Sequence, residues 1–139
     1  MALADKAAAQ GEQPAGEPFQ KPDVSAQIPE ALRDPVDRIV AAGMKLMYAP
    51  QTRQQLQQAV QSNQPVPKVL AENVTGLILM LDSKTQGGLP AEPIFPAAVI
   101  LLGDAAEVMV QSGKPVTMDQ YNDGVRMLYV MLGKKMGGS

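Results

Sequence analysis

Between residues 66 and 113 the chain carries two strongly apolar helical patterns, separated by Gly87-Gly88-Leu89-Pro90 and only sparsely charged. Val66, Val69, Leu70, Val74, Leu77, Ile78, Met80 and Leu81 cover more than one narrow stripe of the first helix, and residues 99–110 resume the pattern in the second. A chain of 139 residues fills one core of ordinary domain size. The apolar surface of these two helices exceeds what one subunit is expected to bury, so oligomerisation is the first expectation. No run alternates cleanly enough to argue for a strand, and the fold class that follows is all-α, a bundle of four or five short helices.

Local signals place the helices. Asp34 and Pro35 read as N-cap and first helical residue, and Val36, Ile39, Val40, Gly43, Met44 and Met47 follow three-four spacing up to Tyr48. Residues 51–64 read as a short glutamine-rich surface helix with Leu56, Ala59 and Val60 as its stripe. The next helix starts within residues 65–68 and stops at Gly87 and Gly88. Pro90, Pro93 and Pro96 are expected to delay the following helix until about Ala97, with Asp104, Glu107 and Gln111 on its wet side and Gly113 as its stop. Thr117 and Gln120 fit a capping box, Val116 and Tyr121 a hydrophobic staple, and Tyr121, Val125, Leu128 and Leu132 one apolar face, with Lys134 and Lys135 beyond. Each longer helix holds one interior glycine, which costs about 1 kcal/mol relative to alanine. Gly43 and Gly124 are assigned to close approach inside the subunit, whereas Gly76 and Gly103 are candidates for contact between subunits or with lipid-embedded helices.

Residues 1–29 form a separate unit ahead of a helical assembly domain at 30–139. They hold four of the fourteen acidic and two of the twelve basic residues, so the whole net charge of -2 lies there. Four prolines and no apolar run of signal-peptide length point to an extended or disordered arm. Phe19, Val24 and Ile28 are its apolar handles for lying across a neighbouring subunit. The candidate assembly interface is therefore Gly76, Leu77, Met80, Val99, Gly103 and Val110 from the apolar helices, with Phe19 and Ile28 from the arm.

Chemistry is sparse. With no histidine and no cysteine, the commonest general base, the thiolate nucleophile and the soft zinc ligands are missing. No catalytic, cofactor-binding or metal residues are expected, and an enzyme is the least favoured class. Asp104 and Glu107 share a helix face, a spacing more often solvated than catalytic. Gly87-Gly88 lacks the GK[ST] sequel of a phosphate loop. The nine methionines are core filler or an adaptable interface. No basic cluster exceeds Lys134-Lys135, so sequence-specific nucleic-acid binding is not expected. The charge-free runs, 73–81 and 93–103, fall short of the roughly 20 residues of a membrane span. Membrane contact is expected only of an assembly.

The stretches DRIVAAGMKLMYAPQTRQQL and PKVLAENVTGLILMLDSKTQGGLPAEPIFPAAVILLGDAAEVM resemble small virion structural proteins of tailed bacteriophages, in size and style most like the internal or ejection proteins of short-tailed phages. The likeness covers residues 34–132 and rests on pattern, without a catalytic motif. It implies a homo-oligomer, associated with other virion or ejection proteins, that is carried in the virion and reassembled in the host envelope as a channel component for genome delivery. The absence of a full-length span departs from that picture. Two other readings are a minor head or portal-associated protein that stays in the particle and a soluble helical adaptor binding a partner helix through a methionine-rich face.

Overall fold

The computed structural model describes residues 17–137, and the expectations for residues 1–16 lie outside it. Five α-helices follow a 3-10 turn at Ser25–Gln27: α1 (Glu30–Met47), α2 (Pro50–Gln61), α3 (Val66–Lys84), α4 (Ala91–Gln111) and α5 (Met118–Leu132). A π-helical turn, Gly133–Gly137, closes the described chain. The fold is all-α, and the one piece of β-type pairing among the described residues is an isolated bridge between Pro18 and Thr117.

Helix α4 is the axis of the bundle, touching α1, α3 and α5 along its length and α2 more lightly, while α3 packs closely on α5. Its residues Ala97, Ala98, Leu101, Leu102, Ala105, Ala106 and Met109 are fully buried. Alanine and glycine along a helix let neighbouring helices come close. At Gly43 the approach is closest, since an added Cβ would stand 2.6 Å from Leu101 Cδ1. Gly124 also faces the interior, but there a Cβ would sit at ordinary contact, 3.6 Å from Leu102 Cδ2.

This arrangement corrects the premise that two such apolar helices exceed the needs of one subunit. Leu70, Val74, Leu77 and Ile78 of α3 and most of α4 are enclosed by the chain's own helices. A helix surrounded on all sides is apolar all round, and it needs no partner molecule to be so. Among the described residues α4 is the one helix long and apolar enough to cross a membrane by length and composition, although the longest charge-free run falls short of that. Two thirds of its apolar window (67%) is buried inside the bundle.

Two helices begin earlier than their prolines suggest. α1 starts at Glu30 after Pro29, so Asp34 is not its cap and Pro35 lies inside it. α4 starts at Ala91, with Pro93 in the first turn, where no amide donor is needed, and Pro96 beyond it. Each interior proline forfeits one i to i-4 bond, to the carbonyls of Ala31 and Glu92 respectively, and both residues are exposed. The loss falls at solvent-facing ends, where water replaces the donor. Other signals hold as read: Gly87 and Gly113 have φ of 80° and 96° beyond the ends of α3 and α4. The capping box of α5 is complete, with Gln120 N–H donating to Thr117 Oγ1 (3.1 Å) and Thr117 N–H to Gln120 Oε1 (2.9 Å).

Candidate functional site

Residues 17–28 run over α4 and α5 of their own subunit as a strap. Phe19 N–H donates to the Val116 carbonyl (2.9 Å) and Met118 N–H to that of Glu17 (2.8 Å), which ties the strap to the start of α5. The Phe19 ring rests against Tyr121, centroids 5.1 Å apart. Two residues on, Lys21 Nζ reaches Asp104 Oδ1 at 2.5 Å. The Asp104 side chain is only 5% exposed, against 37% for Lys21. Gly103 makes room for this contact, because a Cβ there would lie 3.2 Å from Lys21 Cγ. The hydrogen bond to Asp104 holds the Lys21 ammonium above its usual range, with Asp104, Glu107 and Tyr48 adding attraction against the opposing effect of burial. Asp104, expected on a wet face, is therefore buried and paired, whereas Glu107 is exposed.

Beside the strap lies an apolar surface. Phe95 of α4 stacks on Tyr129 of α5 with centroids 5.0 Å apart and planes at 27°. Tyr129 and its neighbour Val130 are 46% and 57% exposed. A shallow pocket of about 210 Å³ continues this surface, lined by Val24, Gln27, Ile28, Pro29, Pro96, Val99 and Tyr129. Beneath it, Tyr121 donates a long hydrogen bond (3.4 Å) to the Val99 carbonyl. Burial, reinforced by Tyr129 and Asp104, pushes the Tyr121 phenol up to about 12.

The residues expected at an assembly interface do not gather on one face. Val99 and Ile28 line the pocket, although Ile28 itself is buried. Gly76 and Met80 share the outer side of α3, where a Cβ on Gly76 would meet nothing within 4 Å and Met80 is exposed. Val110 is exposed near the end of α4. Leu77 is buried, Gly103 lies beneath Lys21, and Phe19 packs on Tyr121. Of the methionines considered for an adaptable face, Met47 and Met109 are fully buried and Met44, Met127 and Met131 pack against the core. Sequence reasoning missed Phe95, Tyr129 and Val130, as well as the Lys21–Asp104 pair. Tyr129 falls one turn beyond Val125 and next to Leu128, on the flank of the apolar stripe, and an aromatic there was the available signal. No sequence signal links Lys21 to a residue 83 positions away.

Among the described residues no group of three or more histidines, cysteines or carboxylates could hold a metal ion. No family model, curated protein or solved structure matches the chain. With nothing matching, the virion, bacteriophage, ejection, genome-delivery and channel assignments drawn from the pattern likeness are withdrawn for want of support, and the all-α fold is what stands. The physical reason is that apolar helices broken by Gly-Gly-Leu-Pro are what a small bundle with one enclosed helix requires, whatever it does.

Proposed function

We propose that this chain is a non-catalytic helical module that self-associates through the surface formed by Phe95, Val99, Tyr129 and Val130. The observation that carries the reading is the half-exposed Tyr129, stacked on Phe95 and lining the pocket at the strap together with Val24, Pro96 and Val99, with the exposed Val130 next to it in the chain. Isolated exposed hydrophobic side chains are ordinary on any protein, whereas a contiguous patch anchored by aromatic rings has the composition of an interface centre. A twofold pairing would set this patch against itself, the commonest arrangement for identical subunits. Light scattering over a range of concentrations tests it: the wild type is expected to shift from monomer to a defined oligomer, and Tyr129→Glu with Val130→Glu to remain monomeric with unchanged helical circular dichroism. A wild type that stays monomeric at millimolar concentration overturns the reading.

A further inference from the structure

We infer that residues 17–28 are an exchangeable strap, and that the slot on α4 and α5 that holds them accepts the same segment from a second copy. This inference rests on the self-association reading and says how the subunits interlock. The slot is already shown to be complementary to this sequence. It offers two backbone hydrogen bonds at Val116 and Met118, an aromatic seat at Tyr121, and a buried carboxylate at Asp104 reached over Gly103. None of those features distinguishes the chain's own strap from a neighbour's.

The strap divides into an anchor and a connector. Residues 17–21 make the long-range contacts named above, all to α4, α5 and the residues just before α5. The connector that follows, residues 22–29, contains Pro22, the 3-10 turn and Pro29; two of its hydrogen bonds are local, Gln27 N–H to the Val24 carbonyl and Arg33 Nε to that of Ile28, and the Ile28 side chain is buried against the core. Eight connecting residues, 22–29, reach about 28 Å when extended. The connector also borders the proposed contact surface, since Val24, Ile28 and Pro29 line the same pocket as Val99 and Tyr129. Two copies meeting there bring their connectors side by side. Exchange then replaces each contact with its equivalent, so it costs little beyond the rearrangement of the connector.

The native chain has no cysteine, which makes a single introduced thiol unambiguous. Gln20 and Asp119 are both exposed, and Gln20 N–H approaches Met118 Sδ at 3.3 Å, so positions 20 and 119 are neighbours across the strap. Gln20→Cys and Asp119→Cys chains, each with one thiol, are mixed at oligomer-forming concentration and treated with a short bismaleimide. The expected result on a denaturing gel is a covalent dimer at least several-fold above that formed by either variant alone. A charge exchange adds an independent readout. Lys21→Glu and Asp104→Lys chains each carry a like-charge pair in cis, and only reciprocal exchange restores both pairs. Their mixture is expected to show heterodimer by native mass spectrometry well beyond the statistical share of one half. A statistical mixture together with no excess cross-link overturns strap exchange while leaving self-association intact. Wild type and every mixture remaining monomeric overturns both. If Asp104→Lys does not fold, the thiol result alone decides, because both of its substitutions lie at exposed positions.

Discussion

Replacing Gly43 by alanine separates two opposing effects whose sizes follow from the geometry. The helix gains about 1 kcal/mol from the better propensity of alanine. Against this, the new Cβ lies 2.6 Å from Leu101 Cδ1 and 2.9 Å from Cδ2, roughly 1 Å inside the ordinary carbon–carbon separation. Leu101 is fully buried beside other packed side chains, so its displacement strains the centre of the bundle. Overpacking of this kind typically costs about 1–3 kcal/mol. Gly76→Ala is the matched control, also in a helix interior but with open space around the added methyl, and it should stabilise by about 1 kcal/mol. The propensity gain cancels between the two variants, leaving the clash. Gly43→Ala is therefore expected to melt below Gly76→Ala by roughly 3–15 °C, at about 3–5 °C per kcal/mol for a chain of this size. Thermal circular dichroism in dilute solution, where association is weak, measures the gap. A Leu101→Ala change should cost less in the Gly43→Ala background than in the wild type, because it removes the obstructing group. Equal melting temperatures for the two glycine variants would refute the close α1–α4 crossing.

Lys21→Met keeps an apolar stem over Gly103 but leaves Asp104 buried without its ammonium, and should lower stability at neutral pH by about 1–3 kcal/mol; adding Asp104→Asn should recover much of this in urea unfolding. Thr117→Ala removes one half of the α5 capping box, with an expected loss of about 1 kcal/mol. Alkaline unfolding should set in above pH 10, because Lys21 and Tyr121 both bind their protons more tightly folded than unfolded. Their contributions are complete below the unfolded pKa values and are lost as pH rises through the folded ones. For Tyr121 that window runs from 10.0 to about 12, and Tyr121→Phe should show a shallower decline across it by pH-dependent melting.

Helix identity was legible wherever a local rule carried it. The Thr117–Gln120 box, the stops at Gly87 and Gly113 and the α5 stripe through Leu128 and Leu132 need no knowledge of the rest of the chain. The proline-flanked starts misled because a proline affects only the bond its own amide would have made, and at Pro35 and Pro96 that bond faces water. What periodicity could not tell is which surfaces meet. Leu77 and Gly103 look the same in sequence whether they face a neighbour or the chain's own interior. Asp104 carries the polar signature of an exposed residue, and only the distant Lys21 makes its burial tolerable. Of the candidate surface, Val99 was within reach through its apolar helix, while the Phe95–Tyr129 stack joins residues 34 positions apart and leaves no local trace.

The pairing of α1 with α4 and of α3 with α5 also constrains how the chain is made. While residues 30–84 leave the ribosome, the helices that will cover their apolar faces have yet to be synthesised. No early half of the bundle encloses its own core, so cotranslational folding in stages is disfavoured, and the hydrophobic face of α1 stays open to chaperones until α4 emerges and that of α3 until α5 does. Contacts of such long sequence separation also slow the folding step. The first described segment to be synthesised, the strap, is among the last to settle, because its anchors at Val116, Met118 and Tyr121 are made nearly a hundred residues later.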